Sequence, residues 1–242
     1  MLEPLFMAAT PVFTFQGAAP LTNASGFFYR RDQRLFLATS RHVLLDEASG
    51  HRPDRIEIEL HIDRQDVAQT VRYSINLYNN GLSVWREARD RGGPVDVAAI
   101  EIDRAALPKS AVYRAFEPAH QVRDADAVEI GSNILIVGFP LGFQDRLHHM
   151  PVARHAIVAS SFGLRFEGKG YFLTDARTHR GISGAPVVLR APATPEVGDL
   201  PWTLLGVHST RLDIGTRDLQ LDEALGLNCS WYADVLDTLT TD

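Results

Sequence analysis

The sequence predicts an all-β fold built from short antiparallel strands. Short apolar runs recur along the chain between turn signals. One of them, RIEIELHI at 55–62, alternates apolar and polar residues with a period of two, as a strand with one solvated face does. The Asn-Gly pair within YNNGL at 78–82 is typical of a hairpin turn. Many short strands with little helix favour a barrel or a sandwich.

The candidate strands share a core of β-branched, aromatic or leucine residues. In chain order they are 11–15, 26–30, 34–39, 55–62, 71–78, 97–102, 133–139, 156–160, 170–174, 185–190 and 203–209. A single helical turn is predicted after Ser40, which is placed to cap it.

A second helix is predicted at the C-terminal end, in SWYADVLDTL at 230–239, with Ser230 as its N-cap. Three stretches without apolar periodicity are predicted to be loops: the charged EARDRGG at 87–93, a linker between halves at 105–127, and a surface loop at 189–202.

Length and charge limit the function classes. A chain of 242 residues suits one large domain or two small ones that share an interface. The net charge of -6 and the absence of a basic block argue against nucleic acid as a partner, and no apolar stretch approaches the ~20 residues that span a bilayer. The single cysteine, Cys229, can form no internal disulfide, and the N-terminal stretch has no basic segment before an apolar run. These features predict a cytoplasmic protein without membrane contact.

Three segments carry residues that could act together in catalysis. FLATSRHVLL presents His42, GPVDVAAIEI presents Asp96, and GISGAP presents Ser183. A serine hydroxyl needs a base within hydrogen-bond reach, and the base needs an acid to orient it. Histidine suits the role of base because its pKa lies near neutrality. Glycines on both sides of Ser183 allow a sharp turn, so the amides of Gly181 and Ser183 could form an oxyanion hole.

These segments resemble those of the trypsin-like, chymotrypsin-fold serine peptidases, and they are nearer to the bacterial heat-shock Deg-type branch than to the digestive enzymes. The order His, Asp, Ser matches that family. The similar segments run from about Gly26 to Ser209: GFFYRRDQRLFLATSRHVL, DVAAIEI, ILIVGFPLG, LTDARTHRGISGAPVVL and LLGVHS. An α/β-hydrolase elbow does not fit, because it needs Gly-x-Ser-x-Gly and Ala185 stands at the second glycine.

The resemblance implies one peptidase domain made of two six-stranded antiparallel β-barrels and a short C-terminal helix. The N-terminal barrel would span residues 1–115 and carry His42 and Asp96. The C-terminal barrel would span 116–228 and carry Ser183, and the helix would span 229–242. The catalytic site would lie between the barrels.

Ile182 departs from the digestive trypsins, in which an aspartate before the nucleophile pairs with a new N-terminal ammonium. Isoleucine cannot form that ion pair, whereas the oxyanion donors are backbone amides that any residue supplies. The sequence therefore predicts that Ile182 packs into the C-terminal barrel and that the hole is preformed. A Gly181 carbonyl turned into the hole would count against this prediction.

The resemblance also implies a specificity pocket. Its base would hold Arg177 and Thr178, and its wall would hold His208. This set predicts a preference for Glu, Asp or Gln side chains before the scissile bond, through charge-assisted hydrogen bonds. Ser209 is predicted to bond Asp96.

The predicted function is that of a serine endopeptidase that needs no cofactor and no metal, takes a protein or peptide as substrate, and could be activated by a protein partner. The alternative is a catalytically latent module of the same fold that binds peptides or serves as a scaffold. His148, His149 and His155 form a loose group, but no zinc-site spacing accompanies them. We expect them to be surface or barrel-linking residues.

Overall fold

The computed structural model describes residues 2–191, 198–212 and 226–241. Within these ranges the chain forms fifteen strands, two short α-helices and several 3-10 turns. The predicted all-β class is confirmed. No helix in this part of the chain has the length and apolar character that crossing a bilayer requires.

The first half of the chain forms a seven-stranded antiparallel sheet, called here the N-terminal sheet, with the strand order β5-β4-β1-β2-β3-β9-β8. Its strands and an accompanying hairpin (β6, β7) are β1 Ala9–Gln16, β2 Ala19–Arg31, β3 Arg34–Thr39, β4 Arg55–His61, β5 Thr70–Asn76, β6 Tyr78–Asn79, β7 Leu82–Ser83, β8 Trp85–Asp90 and β9 Gly93–Ile102. The period-two pattern of β4 is confirmed, because Ile56, Ile58 and Leu60 face the core while their neighbours are half-exposed. The predicted Asn-Gly hairpin joins β6 to β7.

The second half forms a closed six-stranded barrel, called here the C-terminal barrel, with the order β10-β11-β12-β15-β14-β13. Its strands are β10 Asn133–Gly138, β11 Val152–Val158, β12 Tyr171–Asp175, β13 Pro186–Arg190, β14 Trp202–Arg211 and β15 Leu227–Tyr232. The two α-helices are α1 Arg41–Leu44 and α2 Val235–Thr240.

The structure corrects three details of the prediction. The N-terminal unit has seven strands in one sheet, not six, because residues 87–90 of the charged segment predicted as a loop belong to strand β8. The charged side chains of β8 are exposed or half-exposed, and Trp85 is buried against the core. Residues 229–232 extend the C-terminal barrel, so the last helix starts at Val235.

Ser230 is therefore not an N-cap but a fully buried residue of β15. Backbone pairing of β15 with both β12 and β14 overrides the helical spacing of this segment. Of the predicted surface loop at 189–202, residues 192–197 lie outside the described residues, whereas Leu189 and Arg190 end β13 and Trp202 begins β14.

The two units share one core, which fixes their relative position. Phe27 and Val97 of the N-terminal sheet belong to the same buried cluster as Val207 and Trp231 of the C-terminal barrel. The linker at 105–127 forms no strand, as predicted, but it is anchored at Phe116. The Phe116 amide donates to Phe28 (2.9 Å) and its carbonyl accepts from Arg30 (2.7 Å). This packing holds the residues on either side of the junction in register.

Candidate active site

His42 and Asp96 meet at the edge of the N-terminal sheet. Asp96 lies near the start of β9, and His42 lies in α1, the single turn that follows β3. The side chains join through His42 Nδ1 and Asp96 Oδ2 at 2.7 Å, and the backbone amide of His42 donates to Asp96 Oδ1 at 2.8 Å. Both carboxylate oxygens are therefore engaged by one residue, which fixes the orientation of the imidazole ring.

Ser209 of the C-terminal barrel completes the environment of the carboxylate. Its hydroxyl donates to Asp96 Oδ2 at 2.5 Å, the contact that the sequence predicts. Ser40 differs from the prediction, because its hydroxyl does not cap α1. It donates to the carbonyl of His208 at 3.1 Å and so ties the histidine turn to β14.

The pKa of His42 is raised above its ordinary value of 6.5. Burial favours the neutral ring and lowers the pKa, but the hydrogen bond and charge of Asp96, with a smaller contribution from Asp46, outweigh that effect. An imidazolium formed at His42 is therefore stabilised by its surroundings, chiefly by Asp96. This is the property that a general base needs once it has taken a proton.

Ser183 lies in a sharp turn, residues 179–185, called here the nucleophile loop. Gly181 and Gly184 adopt left-handed backbone conformations, with φ of +89° and +86°. A Cβ at Gly184 would lie 2.2 Å from the carbonyl oxygen of Ser25, so a side chain there has no room. Ile182 is 1% exposed and packs in the core cluster of the C-terminal barrel, as predicted.

The amides of Gly181 and Ser183 have no acceptor among the residues that the structure describes. The neighbouring carbonyls are held elsewhere: that of Arg180 accepts from the Leu141 amide (2.6 Å), and that of Gly181 accepts from the Ser25 hydroxyl (2.8 Å). The Gly181 carbonyl is thus not turned into the hole, which was the arrangement that would have counted against a preformed site. Two unpartnered amides beside a serine hydroxyl are the donors that an oxyanion needs.

His42, Gly181 and Ser183 line one cleft between the two units, with a volume of about 820 Å³. The hydroxyl of Ser183 donates to the backbone carbonyl of Ser209 at 3.1 Å rather than to His42. Within the described residues, Ser183 and His42 thus face the same space without a hydrogen bond between them. In unliganded sites, catalytic hydrogen bonds commonly tighten only when substrate binds.

Arg177 and Thr178 line a second cavity, of about 340 Å³, together with Asp175 and Arg211. The hydroxyl of Thr178 is buried and donates to Asn228 Oδ1 at 2.6 Å. Arg211 and Asn228 were not predicted from the sequence. Arg211 lies two residues after Ser209 on β14, a spacing that could have suggested it, whereas Asn228 lies on a strand that was not predicted.

His208 does not line this cavity or the cleft. Its ring is 1% exposed, and burial, with a smaller effect from His42, lowers its pKa to about 3. The residue is therefore neutral in the folded protein. The predicted position on the pocket wall is corrected to a buried one, opposite Ser230 in the pairing of β14 with β15.

The three histidines of the loose group have separate partners. His148 pairs with Asp145 (2.7 Å), His149 pairs with Glu59 (3.0 Å), and His155 contacts the side chain of Asn133 (2.9 Å). In the described ranges, no three side chains of His, Cys, Asp or Glu come together as metal ligands would. Cys229 is buried.

Comparison with known proteins bears on the family and the fold of the chain. The model of the trypsin-like peptidase domain matches residues 24–191. Among solved structures, the HtrA-type protease AlgW, with a tripeptide, is similar in fold, with a TM-score of 0.57 and 14% identity over 98% of this chain and 58% of that chain. The chain thus spans little more than half the length of that protein, and at this identity the likeness concerns the fold. No curated protein matches the sequence. Because the family match covers more than half of the chain, this protein belongs to the trypsin-like peptidase family.

Proposed function

We propose that the chain is a serine endopeptidase that cleaves peptide bonds through an acyl-enzyme formed on Ser183. The observation that carries the proposal is the convergence of two half-sites on one cleft. The N-terminal sheet brings the bonded pair of His42 and Asp96, and the C-terminal barrel brings Ser183 beside two unpartnered amides.

The chemistry follows from the directions of these bonds. His42 Nδ1 bonds a carboxylate, so it carries the proton and Nε2 is left as the acceptor. Ser183 Oγ attacks the peptide carbonyl while His42 Nε2 takes the hydroxyl proton, which it then gives to the departing amine. The amides of Gly181 and Ser183 hold the oxyanion. A water molecule, deprotonated by His42, completes deacylation.

The preferred residue before the scissile bond is acidic in this proposal. Two guanidinium groups, Arg177 and Arg211, and one carboxylate, Asp175, line the cavity beside the nucleophile loop. Neither arginine has an acidic partner among the described residues, so both are available to a substrate carboxylate. Since His208 is neutral, the charge for this preference comes from the arginines.

Substrate binding activates the site in this proposal, and activation by a protein partner stays a prediction. The hydroxyl of Ser183 must turn from the Ser209 carbonyl to His42 before it can react. The same contact supports the alternative, a latent module that binds peptides without cleaving them, in which the hydroxyl stays on Ser209. The predictions of cytoplasmic location and of no nucleic-acid partner stay predictions.

Proteolysis of an unfolded protein substrate tests the function. Wild type and Ser183→Ala are incubated with reduced, alkylated substrate, and the new peptide ends are identified by mass spectrometry. We expect cleavage by wild type only. If wild type binds the substrate and produces no new ends above the Ser183→Ala background, the latent module is the correct reading.

A further inference from the structure

We propose that Ser25 is a positioning residue that holds the oxyanion hole open from the opposite half of the molecule. The inference rests on the proposed function, since it concerns the same hole. Ser25 lies on β2 in the N-terminal sheet and is fully buried. It does not touch the reacting atoms, so its effect passes through the nucleophile loop.

Ser25 bonds both residues whose amides would form the hole. Its hydroxyl donates to the Gly181 carbonyl at 2.8 Å, and its backbone amide donates to the Ser183 carbonyl at 2.9 Å. The hydroxyl also accepts from the Phe139 amide at 2.9 Å. One buried serine thus joins the N-terminal sheet to the nucleophile loop and to the segment after β10.

The segment after β10 aims the Gly181 amide. In a trans peptide group the N–H and C=O point in opposite directions. The Arg180 carbonyl, which shares a peptide group with the Gly181 N–H, accepts from the Leu141 amide at 2.6 Å. Holding that carbonyl on Leu141 therefore turns the Gly181 N–H away from it, towards the cleft. Ser25 supports the peptide group between Arg180 and Gly181 through two contacts. It bonds the Gly181 carbonyl directly, and it bonds the amide of Phe139, which lies two residues before Leu141.

Close packing leaves this arrangement little freedom. A Cβ at Gly138 would lie 2.5 Å from the Ser25 hydroxyl, so glycine there permits β10 to approach. A Cβ at Gly181 would lie 2.9 Å from the side-chain amide of Asn23, which also lines the cleft. The nucleophile loop is therefore packed closely against residues of β2.

Ile182 explains why such a contact is needed. An isoleucine anchors the loop to the C-terminal barrel by packing alone, and apolar packing does not fix the direction of a peptide group. The hydrogen bonds of Ser25 are directional and supply that information. In this chain they take the place of a polar anchor on residue 182.

The test compares Ser25→Ala with Thr10→Val. Thr10 is a matched control, because its buried hydroxyl also donates to backbone carbonyls (Glu59, 2.9 Å, and Pro11, 3.3 Å) and accepts from one backbone amide (Glu59, 3.2 Å), but within the N-terminal sheet. Two readouts are used: the rate of labelling by a fluorophosphonate probe as a function of pH, and amide hydrogen exchange resolved by NMR. Ser25→Cys, which keeps the volume and weakens the hydrogen bonds, serves if Ser25→Ala does not fold.

We expect Ser25→Ala to label at least tenfold more slowly than wild type, with the same pH midpoint, because the His42–Asp96 pair is intact. We also expect the Leu141 amide to exchange at least tenfold faster. Thr10→Val should keep wild-type values for both. Unchanged exchange at Leu141 in Ser25→Ala, or equal loss of labelling in Thr10→Val, would overturn the inference. If wild type itself is not labelled, the peptidase function fails, and the exchange of Leu141 still decides the role of Ser25.

Discussion

The N-terminal sheet and the C-terminal barrel contribute differently to the candidate site. The sheet supplies an acid–base pair, His42 and Asp96, whose two members are already hydrogen-bonded to each other. The barrel supplies a nucleophile and two amides whose final partners are absent, with the Ser183 hydroxyl held meanwhile by Ser209. The acid–base pair is thus assembled before substrate binds. The Ser183 hydroxyl and the two amides still lack the substrate atoms that they would contact.

Each unit also positions site residues of the other unit. Ser209 of the barrel bonds Asp96 of the sheet, and Ser25 of the sheet bonds the two hole residues of the barrel. Neither unit would therefore carry a working half-site alone. Preorganisation here depends on hydrogen bonds across the junction, and the shared core keeps their donors and acceptors in register.

Breaking the acid–base pair should have the largest effect. We expect Asp96→Asn to slow acyl transfer by about 10⁴-fold, since an amide no longer fixes the His42 tautomer. The wild-type rate should rise with pH through a midpoint above 6.5, because His42 must be neutral and its pKa is raised. In Asp96→Asn the effect of burial on the ring is opposed only by the smaller effect of Asp46, so the midpoint should fall below 6.5.

Probe labelling from pH 5 to pH 9 checks both expectations. Asp46→Asn is the control, because Asp46 acts on His42 only through its charge and should leave the rate nearly unchanged. A variant at position 96 that keeps the wild-type midpoint would contradict the pairing.

The packing of Ile182 should matter next. Ile182→Ala leaves a cavity in the barrel core and should lower the free energy of unfolding by about 2–5 kcal/mol, and Ile182→Val by about 0.5–1.5 kcal/mol. Urea unfolding measures both. Ile130→Ala, at a site that is 68% exposed, should change stability by less than about 0.5 kcal/mol. Equal stability of Ile182→Ala and wild type would show that residue 182 does not anchor the loop.

The charge of the second cavity should set substrate preference. An exposed ion pair is worth up to about 1 kcal/mol, so reversing both charges with Arg177→Glu and Arg211→Glu should shift the ratio of cleavage after Glu to cleavage after Lys about tenfold toward Lys. Profiling with a peptide library measures the ratio. Arg104→Glu, outside the cavity, should leave it unchanged. A wild type that cleaves only after small apolar residues would remove the acidic preference.

His208 should produce the smallest effect, a pH dependence of stability. Its folded-state pKa of about 3 lies below the ordinary 6.5, so the unfolded chain binds a proton that the folded chain does not. The contribution of His208 to the free energy of unfolding is fully present above pH 6.5. It declines as the pH falls, by up to about 1.4 kcal/mol per pH unit. His208→Gln should lose less stability than wild type between pH 7 and pH 5 in urea unfolding. The exposed His155→Gln should behave as wild type does, and a His208→Gln slope equal to that of wild type would contradict the burial.

Strand predictions succeeded where the local pattern and the tertiary environment agree. Strand β4 has one wet face and alternates accordingly, so its sequence reports its position. Strand β8 consists mostly of charged residues and resembles a loop in composition. Strand β15 has helical spacing, but pairing on both edges decides its conformation. Because this pairing joins separate segments of the chain, it cannot be predicted from any one of them.

The candidate site divides in the same way. His42, Asp96 and Ser183 could be predicted from three short motifs, because each motif contains its own turn or strand signal. Ser25 had no such signal: it is one serine in a strand, and its partner Gly181 lies 156 residues away. The enclosure of His208 likewise results from strands that meet only in the folded barrel.

Labelling of the isolated chain with a fluorophosphonate probe, beside Ser183→Ala, tests the central claim most directly. The probe reacts only with an activated serine next to a usable oxyanion hole. A preformed site predicts labelling of wild type and none of Ser183→Ala. A folded wild type that stays unlabelled would contradict the account, since the two amides and the bonded His42–Asp96 pair would then not suffice to activate Ser183.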